Sequence, residues 1–127
     1  RQGWWEGLPL YGDVESVVVT TYNLEDKFGE IVRGDIKDSK KYYFNKTGDV
    51  FEKAEYNSYG SLAWKSIYKY DTSGNVIEWA WYNSDGSLGS KRIYKYDSSG
   101  NAVEATKYVG DALTIESLTV FEITYRN

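Results

Sequence analysis

The chain contains no cysteine, no histidine and no methionine, and one proline. Without Cys it has neither disulfides nor thiolate chemistry, and its redox compartment leaves no mark on the sequence. Without His, general base work near neutral pH falls to carboxylates or Lys. The lone Pro9 lies outside every predicted strand. No apolar run approaches the ~18 residues that a membrane-spanning helix needs. Helix start and stop signals are missing. Basic residues are also too few for a nucleic-acid surface: Lys and Arg number 15 against 19 Asp and Glu, a net charge of −4. Nucleic-acid binding needs clustered cations to displace counterions. The sequence starts at Arg1 with no Met. That reads as a start following a removed signal, a pro-segment or trimming, and it points to export.

Aromatic residues are abundant. They make up 17% of 127 residues, with 13 Tyr and 5 Trp, and apolar residues reach 41%. Disordered chains are poor in aromatics, so a folded chain is expected, with the size of one domain and a modest core.

The main feature is a repeat. Tyr68-Lys69-Tyr70-Asp71-Thr72-Ser73-Gly74-Asn75 returns 26 residues later as Tyr94-Lys95-Tyr96-Asp97-Ser98-Ser99-Gly100-Asn101. A looser copy lies 26 residues earlier, from Tyr42 to Asp49. Repeats of this length mark stacked supersecondary units that cannot bury a hydrophobic face alone. The boundaries follow as 42–67, 68–93 and 94–119, preceded by an irregular cap and degenerate copy over 1–41 and followed by the end of a closing strand, 120–127. Within the cap, Gly12-Asp13-Val14-Glu15 echoes Gly48 to Glu52. Each copy carries an Asx-x-x-Gly-Asx turn signal (Asn45–Asp49, Asp71–Asn75, Asp97–Asn101), and Asn57–Ser61 and Asn83–Ser87 form a second type. Asx side chains bond their own backbone in turns, and Gly supplies the positive φ. The intervening stretches, rich in Tyr, Trp, Val and Ile, read as consecutive antiparallel hairpins. The expected fold is all-β: an antiparallel meander of repeated hairpins in a curved, strongly twisted sheet, rolling toward a barrel since roughly eight strands can close one.

Pairing Tyr70 with Val76 across the loop 71–75 sets Tyr68 against Glu78, and by repetition Tyr42 against Glu52 and Tyr94 against Glu104. These six residues form a ladder on the face that repeats and is expected to stack, with Arg92 a further neighbour of Glu78. The opposite face varies between copies. In the middle copy Ile67, Ile77, Trp79, Trp81 and Ile93 fall together there, fringed by Lys65, Lys69, Lys91 and Lys95. Leu113 to Tyr125 alternates apolar and polar residues and reads as the closing strand.

The Tyr-x-Tyr-Asp-x-x-Gly-Asn-x-x-Glu pattern of Tyr68 to Glu78 and Tyr94 to Glu104, and more loosely of Tyr42 to Glu52, resembles the YD repeats of the RHS type. It is similar above all to a variant in exported, often lipid-anchored repeat proteins of Gram-negative gut-type bacteria. The resemblance covers roughly residues 42–109, about half the chain. It implies stacked β-hairpins and an extracytoplasmic setting at the cell surface or in the periplasm, with any lipid anchor upstream of Arg1. It implies little about activity, because such repeats serve as shells, stalks and adhesive surfaces.

Three candidate sites follow. Glu52, Glu78 and Glu104 recur two strands apart, roughly 9–10 Å by strand spacing, within the separation a glycosidase carboxylate pair uses; Tyr–Glu cross-strand pairing explains the same recurrence structurally. The Asx-rich loops invite calcium, but the known calcium-loop spacings are absent and turn chemistry accounts for them, so no cofactor is expected. The third site, Trp79, Trp81, Ile67, Lys65 and Lys91, is an aromatic platform bordered by cations, suited to a glycan or a surface protein; its alternatives are cover by Trp4, Trp5 or the segment 23–41, or self-association. The functional expectation is a non-enzymatic, exported repeat module presenting a binding or adhesion surface. A carboxylate-based carbohydrate-active enzyme and a purely structural spacer in a larger surface assembly are the alternatives.

Overall fold

The turn signals fold as their chemistry dictates. In the computed structural model, which describes residues 2–5 and 8–127 with side chains from residue 10 onward, the three Asx-x-x-Gly-Asx runs and the two Asn-led runs are all hairpin loops. In each, the first residue's amide donates to the carbonyl of the fifth, and the Gly amide donates back to the first residue's carbonyl. Asp71 shows the Asx mechanism, its Oδ1 accepting from the amides of Ser73 and Asn75 at 2.9 Å each. Gly74 takes φ +89°, which a side chain would resist.

The strands are β1 (Gln2–Trp5), β2 (Leu8–Tyr11), β3 (Ser16–Lys27), β4 (Glu30–Phe44), β5 (Val50–Tyr56), β6 (Leu62–Tyr70), β7 (Val76–Tyr82), β8 (Leu88–Tyr96), β9 (Ala102–Val109) and β10 (Thr114–Val120). The fold is all-β. Strands β3 to β10 form one antiparallel meander in sequence order, and β1 pairs with β2 in a separate two-stranded sheet. β3 and β10 end the order with no ladder joining them among the described residues, so the sheet does not close into a barrel. No helix among the described residues is long and apolar enough to cross a membrane.

The chain divides into two compact units, Arg1–Lys65 and Ser66–Asn127. In the first, the segment expected to be an irregular cap and degenerate copy contains a long hairpin of β3 and β4, its register shifting on either side of Tyr22 and its turn at Phe28 and Gly29, both with positive φ. Tyr42 and Phe44 are buried on one face of β4, and Ala54 of β5 is buried on the other. In the second unit Ala80 and Ser66 are buried, while β7, β8 and β9 are otherwise half-buried, with exposed residues only at Ile77, Arg92 and Lys95. Neither face of these strands shows the strict buried–exposed alternation of a sheet laid on a core.

Register is where the structure departs from the sequence. Tyr96 pairs with Ala102, as expected beside the turn, but one residue further on a bulge intervenes and Lys95 pairs with Glu104 and Tyr94 with Ala105. In the first unit the same bulge sets Tyr43 against Glu52 and Tyr42 against Lys53. The expected pairs Tyr42–Glu52 and Tyr94–Glu104 therefore do not form. The extra residues, Phe51 and Val103, carry no turn-like sequence signal, and a one-residue slip moves every later side chain to the other face. The Glu residues instead meet lysines: Lys69–Glu78 at 3.1 Å and Lys95–Glu104 at 3.6 Å, with Lys91 3.7 Å from Glu78.

The closing strand is β10, shorter than expected. Past Val120 the tail returns to the last Asx loop, where Asn101 Nδ2 donates to Tyr125 Oη at 2.9 Å and Tyr125 Oη donates to Asp97.

These loops make stability acid-sensitive. Asn75's backbone amide, with those of Ser73 and Gly74, holds Asp71 below the ordinary carboxylate value; Tyr125's hydroxyl does so first at Asp97, and Ser87's hydroxyl at Asp85. A carboxyl depressed in the folded state contributes stability above its unfolded value, near 3.8, and loses it as pH falls through the folded value. The melting temperature is expected to fall on acidification below about pH 4–5. The triple variant Asp71→Asn, Asp85→Asn, Asp97→Asn should flatten that fall, because Asn keeps the acceptor: Asn57 Oδ1 already accepts from Tyr59 and Ser61. An equally steep acid profile in the triple variant refutes this account.

Candidate ligand-binding cleft

The bulges decide which residues share the face of Trp79. On β7, Trp79 pairs directly with Arg92 and Trp81 with Ser90; on β9, Arg92 pairs with Lys107. Directly paired residues project to the same side. Trp79, Trp81, Ser90, Arg92 and Lys107 accordingly line one cleft of about 130 Å³. A second cleft of about 130 Å³ adjoins it across Arg92 and Lys107 and reaches Ser117 and Thr119 of β10.

Trp79 is the centre of the first cleft. Its ring stacks on Tyr68 with centroids 5.9 Å apart and planes within 7°. The Arg92 guanidinium lies 5.6 Å from its ring centroid, within cation–π range. Trp79 Nε1 is buried and has no hydrogen-bond partner. A buried donor left unpaired is costly. The Tyr68 phenol is pushed up by burial, opposed by a hydrogen bond from Ser66. In the first copy the equivalent arrangement is inverted: Lys53 occupies the position of Trp79, its Nζ lying 5.3 Å from the Tyr42 ring and 5.6 Å from that of Trp64.

Gly89 makes room for this site. It is the bulge residue between Leu88 and Ser90, and a Cβ there would come within 3.1 Å of Trp81 Cδ1 and 3.0 Å of Asn83 Oδ1.

Of the residues expected in this site, the structure brings together Trp79 and Trp81. Lys91 pairs with Ala80 and bonds Glu78, so it lies on the opposite face. Ile67 precedes Tyr68 in β6 and so faces away from the Tyr68–Trp79 stack, and Ile93 pairs with Glu78. Lys65 is the last residue of the first unit. The cations at the cleft are Arg92 and Lys107, and Arg92 faces Trp79 and not, as expected, Glu78. Trp4 and Trp5, considered as a lid, have side chains outside the described residues. The ladder residues Tyr68 and Glu78 lie on opposite faces, Tyr68 against Trp79 and Glu78 against Ile93.

Among the described residues no group of three or more acidic side chains is placed to hold a metal ion. Comparison with known proteins finds no matching family model, no similar curated protein and no similar solved structure.

Proposed function

We propose that this chain is a non-enzymatic, exported repeat module that binds a glycan or surface protein through the Trp79–Trp81 cleft. One observation carries the reading. At the positions where the neighbouring copies hold Lys53 and Glu55 or Ala105 and Lys107, the middle copy holds two tryptophans side by side on one strand. These line an accessible cleft and include a buried indole N–H with no partner. Aromatic faces with a few convergent polar groups are the usual furniture of a binding site. The exported setting is supported by the likeness of 68–78 and 94–104 to YD repeats. The ion pairs at Glu78 and Glu104 favour a structural part for those carboxylates over the carbohydrate-active-enzyme reading. A spacer role would leave the cleft without use.

Thermal-shift and calorimetric titration against glycans and cell-surface proteins tests this. A bound ligand at ~100 times its dissociation constant adds about 2.7 kcal/mol to stability. Trp79→Ala should weaken that binding at least about tenfold, the value of a lost aromatic stack, in a protein that still gives the wild-type circular dichroism spectrum. Unchanged affinity in that folded variant refutes the reading.

A further inference from the structure

We infer that the cleft selects an acidic sugar, with the ring lying against the tryptophans and its carboxylate held by Arg92. This rests on the binding-module reading above and names its ligand class.

The charge pattern points there. Arg92 and Lys107 are direct partners on adjacent strands. Like charges directly opposite each other destabilise a sheet. Elsewhere in this unit the repeat sets Lys against Glu, at Lys69–Glu78 and Lys95–Glu104. Lys107 is answered by Glu116 at 2.9 Å, whereas no carboxylate among the described residues forms an ion pair with Arg92. The equivalent positions 26 and 52 residues earlier are Ser66, no cation, and Lys40, a cation paired with Glu55 across its ladder, whereas Arg92 meets Lys107. Arg92 is exposed and its planar fork matches a carboxylate. The chain is acidic overall, which makes two adjacent cations on one face the more specific a signal.

The walls select a sugar rather than an acidic peptide. A cleft of about 130 Å³ is close to the ~150 Å³ that holds one benzene ring, so it takes a single ring and not a run of side chains. The adjoining cleft past Lys107 is lined by Thr106, Ser117 and Thr119, hydroxyls suited to the next residue of an oligosaccharide.

The test is calorimetric titration of the whole chain with uronic-acid and sialylated oligosaccharides, each beside its carboxyl methyl ester, and with poly-glutamate. At least one acid should bind tenfold or more tighter than its ester, with affinity falling as salt rises. Arg92→Gln should erase that preference, a loss of about ten- to a hundredfold for one charge-assisted bond. Glu116→Gln, which frees Lys107, should tighten acid binding. Acids and esters bound alike, both lost in Trp79→Ala, would overturn acid selection and leave the binding module standing. Poly-glutamate bound in preference to every acidic sugar would overturn the ligand class. No signal with any acid or ester overturns the inference, and the module reading then stands or falls on Trp79-dependent binding of a neutral glycan or a surface protein.

Discussion

Replacing Tyr42 with Ala is expected to destabilise the first unit by about 3–5 kcal/mol, the cost of deleting a buried aromatic ring. Tyr42 is only 3% exposed, in a unit that buries few side chains. Its ring is flanked on the two adjacent strands by its partners Val17 and Lys53, and Lys53 holds its ammonium over it at 5.3 Å. Removing the ring takes away that cation–π contact and leaves a hole between two strands that cannot collapse without breaking a ladder. Tyr42→Phe keeps the ring and should cost much less. Tyr94, two copies on, is only half-buried and pairs with Ala105; Tyr94→Ala should therefore cost less than Tyr42→Ala. Hydrogen exchange on the β4 and β5 amides reads the change unit by unit. An effect at Tyr42 below about 1 kcal/mol, or no larger than at Tyr94, would show that burial in this thin sheet does not govern its stability.

What could be read from the sequence divides along physical lines. The loops were legible because their chemistry is local: Asx oxygen, backbone amides and a positive-φ Gly all lie within five residues. The strands between them followed, and the all-β meander with them. The turn at Phe28 and Gly29 was not legible. A turn with positive φ at both central residues favours Asn or Asp at the first, and here it is Phe at φ +56°, fully exposed. Register was legible only next to each turn. Tyr96–Ala102 follows from the loop; Lys95–Glu104 follows from a bulge at Val103, a residue that looks like any other strand residue.

A second slip, the bulge at Gly89 between β7 and β8, explains the divided outcome at the cleft. Trp79 and Trp81 stood out because they break the repeat, and a departure from a repeat is visible without knowing which face it lies on. Their charged neighbours depend on the face. Counting alternation from the unbulged register selects Lys91, whereas the bulged register selects Arg92, adjacent in sequence and on the opposite side. Gly89 was the available signal: a glycine in a strand interior marks a bulge or a close approach, and here it marks both.

Ser66→Arg and its reciprocal Arg92→Ser are expected to have opposite and unequal effects. The two positions are equivalent, 26 residues apart, and a repeat read as a consensus would treat them as interchangeable. Their surroundings differ. Ser66 is 1% exposed and its hydroxyl bonds Tyr68, whereas Arg92 is exposed over Trp79. Placing a guanidinium at 66 would bury a cation without a carboxylate partner, a change of about 3–5 kcal/mol or failure to fold. Placing Ser at 92 removes a cation that faces Lys107 across the ladder, so the loss of its contact with Trp79 is offset by relief of like-charge repulsion. Stability should then change by no more than about 0.5 kcal/mol, while acidic-sugar affinity is lost. Urea denaturation and titration on the same pair of variants measure both. A large loss of stability in Arg92→Ser would make Arg92 a structural residue of the sheet. A nearly unchanged midpoint with lost binding would mark it as a residue that the repeat keeps at its own electrostatic expense because the cleft uses it, the stability–function exchange expected where a repeat departs from its own pattern.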